Sequence, residues 1–226
     1  TMKRSRGVFI VLEGLDGAGT TTQTRLLSAH LRQWGFETWT TREPSAGPFG
    51  KAARSVIEGD ETLPPAGLAL GFAADRIHHM FKPDGIEDML ARGVWVITDR
   101  YVLSSLAYQS AQGLDLSWLI EINRAAPAPD VTVFVDTSVR VCLERIRARG
   151  ENLEDKFHQR TALLNTRRQY LQALSSGLSV GKLVTADGNL SKADVLQQIL
   201  RGMAEELQTD LGLFGGMLSQ PPRGLA

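Results

Sequence analysis

Apolar residues along the chain fall into two rhythms. Five short runs, Val8 to Leu12, Glu37 to Thr41, Val94 to Thr98, Val131 to Val135 and Lys182 to Thr185, read as buried parallel strands. Between them lie stretches with helical spacing. Thr21 to Trp34 carries Leu26 and Leu27 and stops at Gly35, a natural C′ residue. Ala66 to Met80 follows Pro64 and Pro65, which suit a helix start. Val139, Cys142, Leu143 and Ile146 form one stripe, and Leu163, Leu164, Arg167, Tyr170, Leu171 and Leu174 form another. A last helix is expected from about Ser191, its N-cap, to about Leu211. Strands alternating with helices predict an α/β fold, a five-stranded parallel sheet flanked by helices. Its ligands should lie beyond the carboxyl ends of the strands.

Composition narrows the picture. A chain of 226 residues, 42% hydrophobic and 22% charged, can bury one sizeable core, and a single domain over residues 7–211 is expected. The segment 212–226, with Gly215, Gly216, Pro221 and Pro222, reads as a loose tail. Twenty-five basic residues balance twenty-five acidic ones, so no overall field draws the chain to nucleic acid or an anionic membrane. Any anion site must be local. Lys3, Arg4 and Arg6 precede an apolar run too short for a signal peptide, ended by Glu13, and no segment reaches transmembrane length. The single cysteine, Cys142, has no internal disulfide partner and sits on a helical stripe, which fits a reducing, cytoplasmic setting.

Chemistry begins directly after the first run. Gly14, Leu15, Asp16, Gly17, Ala18, Gly19, Thr20 and Thr21 separate a strand from a helix, nearly matching the P-loop pattern. Glycines there turn N–H groups toward phosphate oxygens, and the helix N-terminus adds favourable partial charge. Thr21 stands where the pattern places the hydroxyl that ligates Mg²⁺. The plainer reading is a strand-to-helix turn. One departure stands out: Thr20 occupies the lysine position and has no cationic group. Losing one preorganised contact of this kind costs about 3 kcal/mol, on the order of a hundredfold in rate. Another cation should then substitute, with Arg25 or the arginines near residue 147 as candidates.

After the third run come Asp99, Arg100 and Tyr101, then Ser104, Ser105, Tyr108 and Gln109. A carboxylate at a strand end can hold Mg²⁺, and the fork of Arg100 suits a phosphate. Taken alone, Asp99 could be an N-cap and Arg100 a solvated side chain. Phe72 and Arg76 lie four apart and so share a helix face, as a core Phe with a surface Arg would also do.

Taken together, Glu13 to Gln23, Thr41-Arg42-Glu43-Pro44, Phe72 with Arg76, Asp99-Arg100-Tyr101 with Ser104, Tyr108 and Gln109, Pro129-Asp130, and Arg145, Arg147 and Arg149 resemble thymidylate kinases. These are P-loop nucleoside monophosphate kinases that phosphorylate dTMP with ATP. The resemblance spans Val8 to about Leu207. It implies a P-loop NTP hydrolase-like fold with a short lid at about 147–160, Mg²⁺ with ATP, a cytoplasmic setting and a homodimer. Gly14 to Thr22, including Thr22, would hold the ATP phosphates, and Thr21 and Asp99 the metal. Phe72 would stack on thymine, Arg76 would bond a base carbonyl, Ser105 would approach the base edge and Gln109 would contact the base. Tyr108 would crowd the sugar against a 2′-hydroxyl. Arg42 and Arg100, with Ser104 nearby, would hold the acceptor phosphate, and Asp16 would sit near the 3′-hydroxyl or the phosphates. Gly17 carries no side chain, so the catalytic arginine would come from the lid, as Arg147 or Arg149, although a basic last helical turn is the plainer reading. The segment Glu151 to Gln159 would be a rewritten lid.

Two rival functions remain at this stage: another nucleotide or deoxynucleoside kinase, or a nucleotide-binding homologue whose catalysis is impaired by Thr20. The absence of an Asn-Lys-x-Asp motif argues against a GTPase.

Overall fold

A computed structural model of the chain describes residues 6–150 and 156–211. Five strands, β1 (Phe9–Glu13), β2 (Thr38–Arg42), β3 (Trp95–Asp99), β4 (Val131–Asp136) and β5 (Lys182–Asp187), form one sheet in the order β2-β3-β1-β4-β5. Every pairing is parallel. The three inner strands are buried on both faces, which is why they read as continuous apolar runs, whereas the edge strand β5 alternates.

All five strands run past the expected stop to end on an ionisable residue: Glu13, Arg42, Asp99, Asp136 and Asp187. The apolar pattern could not show this, because these last residues are paired by backbone but serve the polar sheet edge. Register sets that edge. Leu12 pairs with Asp99 and Glu13 with Phe134, so the carboxyl ends of the inner strands lie level.

The helices among the described residues are α1 (Thr20–Gln33), α2 (Pro48–Glu58), α3 (Pro65–Phe81), α4 (Ile86–Ala91), α5 (Val102–Ala111), α6 (Leu116–Ile122), α7 (Val139–Ala148), α8 (Lys156–Leu174) and α9 (Lys192–Leu211). Proline opens α2 and α3, and Asp115, Ser138 and Ser191 accept backbone N–H bonds at the starts of α6, α7 and α9. Gly35 follows α1 in the left-handed region, as a C′ glycine should. The sequence pattern had not revealed α2, α4, α5 or α6. Helix α5 is buried along most of its length, from Leu103 to Ala107 and at Gln109, so it shows no polar face to betray a helical period.

Side chains alternate across β1. Ile10 and Leu12 join the larger core cluster with Leu27, Leu106, Tyr170 and Ile199, while Phe9 and Val11 pack on the other face with Met80, Ile86 and Leu90. No helix among the described residues is long and apolar enough to cross a membrane. Residues 151–155, within the span 147–160 expected to form a lid, and residues 212–226, expected to form a tail, lie outside the described residues.

Cys142 faces the sheet from α7 and is fully buried. Burial pushes its thiol up from 9.0 to about 11, so the neutral form that favours folding persists below the ordinary value and is lost as pH rises toward the folded one. Iodoacetamide at neutral pH should therefore leave the native protein unlabelled and modify it once urea is added. Labelling of the native protein at the unfolded rate would contradict this burial.

Candidate active site

A cleft of about 680 Å³ opens along the carboxyl edge of the sheet. At one end lies the glycine loop between β1 and α1. Gly17 and Gly19 both take left-handed φ, 81° and 102°, and α1 begins at Thr20, one residue earlier than its apolar pattern suggests. Gly17 is doubly constrained, because a Cβ there would stand 2.5 Å from the Cys142 carbonyl oxygen. Leu15, Asp16, Gly17, Gly19, Thr20 and Thr21 line the cleft. Gly14 and Ala18 are buried behind the loop and Thr22 lies outside the lining.

Opposite the loop, Asp99 ends β3. Its Oδ2 accepts the Thr21 hydroxyl, while its Oδ1 is buried with no hydrogen-bond partner. A hydroxyl and a carboxylate with one orphaned oxygen form a donor set suited to a hard cation. No cluster of three or more His, Cys, Asp or Glu suited to a metal occurs among the described residues, so most ligands of a Mg²⁺ here would be phosphate oxygens and water.

Arg100 follows with φ 75°, a strained value for arginine. Its Nη1 donates to the Gly14 carbonyl at 3.0 Å, Ser104 Oγ at 3.2 Å and Tyr170 Oη at 3.3 Å, and its Nη2 pairs with Asp16. Burial would lower this guanidinium, but Tyr108, Tyr170, Asp16 and Asp99 more than offset that, and it is held well above its ordinary value. It is a permanent cation in the middle of the cleft. Tyr108 lies under it, with the ring centroid 5.0 Å from Cζ, and its hydroxyl accepts from the Asp16 N–H.

The far wall comes from α2, α3, α5 and the link between α2 and α3: Arg54, Val56, Ile57, Leu63, Leu68, Phe72, Arg76, Ser105 and Gln109. Arg76 is 1% exposed. It bonds Glu43, Asn123, the Tyr101 carbonyl and Ser105 Oγ, and Glu43 in turn faces His79 at 3.4 Å. Arg76 is thus an internally anchored donor, not the surface residue that its helix position also allowed. Gln109 Oε1 is buried without a partner. Arg42, exposed at the end of β2, lines the cleft between the two ends.

Of the lid candidates, Arg149 reaches the cleft, whereas Arg147 is exposed outside its lining. Arg25, one of the cations considered for the missing lysine, is also exposed and outside the lining. Sequence reasoning assigned no role to Arg54, Asn123 or Tyr170. Arg54 escaped because the apolar pattern had not revealed α2, on which it lies, and Tyr170 because it sits within an apolar stripe. Yet the Tyr170 hydroxyl meets Ser104 Oγ at 2.8 Å, the Gly14 carbonyl at 3.1 Å and Glu13 Oε2 at 3.2 Å.

A glycine loop between the central strand and a helix, faced by a strand-end carboxylate and a buried cation, is the layout of a P-loop phosphotransferase. Comparison with known proteins sharpens this. The family model described as thymidylate kinase matches residues 12–199. A probable thymidylate kinase of Pyrococcus horikoshii is 48% identical over 150 residues, 64% of this chain and 72% of the relative. One of Thermococcus gammatolerans is 37% identical over 209 residues, 88% of this chain and 97% of the relative. The thymidylate kinase of Thermomicrobium roseum is 43% identical over 162 residues, 67% and 76% respectively. The chain belongs to the thymidylate kinase family, and with it to the phosphotransferase enzymes.

Glu13 anchors this site from beneath. It is fully buried and accepts the backbone N–H groups of Tyr101 and Ser104 and the hydroxyls of Ser104 and Tyr170. Burial raises its carboxyl from 4.5 against the lowering pull of Ser104 and Arg100. The folded state therefore holds this proton more tightly than the unfolded chain. Glu13 favours folding most below pH 4.5, and that contribution is lost as pH rises through its folded value. Relative to wild type, the urea midpoint of Glu13→Gln should improve steadily as pH is raised from about 4.5 through the neutral range. A difference that stays constant across that range would mean the carboxyl is not perturbed.

Proposed function

We propose that the chain transfers the γ-phosphoryl group of ATP to dTMP, giving dTDP and ADP, with Mg²⁺ on the donor phosphates. What carries this reading is the continuity of one cleft. The glycine loop stands at one end, a base-sized wall of Phe72, Arg76, Ser105 and Gln109 at the other, and Arg42 and Arg100 between them.

The pyrimidine ring of dTMP has carbonyl acceptors and one N–H donor. Arg76 and Ser105 supply donors on the wall, and the unpartnered Gln109 Oε1 supplies the acceptor. Phe72 and Leu68 give an apolar surface for the ring. The acceptor phosphate then lies against Arg42 and Arg100, and an oxygen of it attacks the γ-phosphorus while the bond to the β-bridging oxygen breaks. Thr21 and Asp99 would hold Mg²⁺, which would supply positive charge to offset that of the donor phosphates. Arg100 needs no reorganisation to meet developing charge, because Gly14, Ser104 and Asp16 already fix its fork. Arg149, at the cleft rim, is the lid-side arginine. Tyr108, packed against Arg100, narrows the space beside the sugar.

Steady-state assays with Mg-ATP and dTMP, dUMP, dGMP, dCMP or thymidine as acceptor test this directly. Turnover should be highest with dTMP, and Arg100→Ala should lower kcat/KM for it on the order of a hundredfold or more. Preference for another acceptor would redirect the assignment to that nucleotide. Tight dTMP binding without turnover would make the chain a nucleotide-binding relative impaired by Thr20.

The outer face of α2 and α3 exposes Phe49, Leu70 and Phe81 at 47%, 51% and 54%, with Phe49 stacked edge-on to His78. We assign this face to pairing of two copies of the chain, in the cytoplasm that its lone buried thiol suits. Sedimentation velocity at micromolar concentration should give a dimer that Leu70→Glu converts to monomer. A monomeric wild type would remove that assignment.

A further inference from the structure

The glycine loop lacks its lysine, but a guanidinium is seated on its other side. Arg145 of α7 donates from Nη1 to the Ala18 carbonyl at 3.0 Å and toward the Gly17 carbonyl at 3.5 Å, and from Nη2 to the Gly188 carbonyl at 2.8 Å. Thr137 Oγ1 adds a second donor to Ala18 O at 3.3 Å. Helix α7 lies directly against the loop here, since the Cys142 carbonyl leaves no room for a side chain at Gly17. No carboxylate among the described residues pairs with Arg145, so its charge is delivered to peptide oxygens alone.

The two contacted peptides differ in what they can pass on. The Ala18 N–H is already committed to the Leu15 carbonyl at 3.0 Å. The Gly19 N–H, on the other end of the peptide whose oxygen takes both Arg145 and Thr137, has no partner among the described residues, and Gly19 lines the cleft. Hydrogen bonds in series polarise one another in a low-dielectric interior. A cation on Ala18 O therefore strengthens Gly19 N–H as a phosphate donor and adds positive potential behind the loop.

The other cations are less suited. Arg100 is shared among Asp16, Gly14, Ser104 and Tyr170, while Arg25, Arg147 and Arg149 make no hydrogen bond to the loop carbonyls among the described residues, as Arg145 does. We propose that Arg145 stands in for the absent lysine, acting through the Ala18–Gly19 peptide as a positioning residue for the phosphates of the donor. This rests on the reading of the glycine loop as the donor site. It explains how a loop with threonine at position 20 can keep its grip on a triphosphate.

The test compares wild type, Arg145→Met, Arg145→Lys, Arg149→Met, Thr20→Lys and the Arg145→Met/Thr20→Lys double variant as full chains. Calorimetry would use a non-hydrolysable Mg-ATP analogue, Mg-tripolyphosphate and adenosine, with turnover measured on dTMP. Arg145→Met should weaken both phosphate ligands and slow turnover by about tenfold to a hundredfold while adenosine binding and Tm hold. Arg145→Lys should recover part of this and Thr20→Lys most of it, whereas Thr20→Lys alone should gain less than about threefold because compensation is already present. The proposal is overturned if Arg145→Met leaves tripolyphosphate binding intact, or weakens adenosine equally through the Gly188 loop. It is also overturned if Thr20→Lys rescues Arg149→Met but not Arg145→Met. Should Arg145→Met fail to fold, a hundredfold gain from Thr20→Lys alone would still refute it. A wild type that binds neither Mg-ATP analogue nor tripolyphosphate would remove the donor-site reading itself, a result separable from all of these.

Discussion

One knot of hydrogen bonds at the end of the central strand governs the rest of the site. Glu13 has no solvent to stabilise its carboxylate, so its oxygens must be satisfied by the turn into α5, through Tyr101 and Ser104, and by Tyr170 of α8. Tyr170 also bonds the Gly14 carbonyl and meets Arg100, whose own fork returns to Gly14 and Ser104. The knot therefore joins the glycine loop, the strand-end arginine and α8. A buried polar network of this kind is favourable only when each member is satisfied, which makes it specific as well as stabilising.

That constraint explains how a neutral chain can handle highly charged ligands. Overall charge is balanced, so no long-range field gathers anions. Arg42, Arg54, Arg76, Arg100 and Arg149, with the orphaned oxygens of Asp99 and Gln109, instead line one cleft, where low dielectric makes each worth more than at the surface. Arg100 is kept cationic by its neighbours, Arg76 is anchored by Glu43 and Asn123, and Asp99 keeps one oxygen free. The two ends of the cleft are thus built by different devices, the backbone of a glycine loop at one and fixed side chains at the other.

Much of the fold was legible beforehand. Strands buried on both faces announce themselves as apolar runs, and the glycine spacing between β1 and α1 carries its own conformational signature, the left-handed φ of Gly17 and Gly19. Asp99, Arg100, Phe72 and Gln109 were also identifiable, and all line the cleft. Helix α5 was hidden because burial on every side erases periodicity, and Arg54 because its helix opens with Pro48, Phe49 and Gly50.

By itself the sequence determined local matters: which segments are strands, where the chain must turn through glycine, and which residue types stand at strand ends. These follow from backbone sterics and the period of apolar side chains, both of which act between near neighbours. Only the tertiary structure decided which polar atoms meet. That Tyr170 reaches Gly14 across 156 positions, that Arg76 faces inward, and that Arg145 stands behind the loop where threonine replaces lysine all depend on how separate elements pack. Hydrogen bonds require angstrom-scale placement of groups far apart in the chain, and no local pattern of residues encodes that placement.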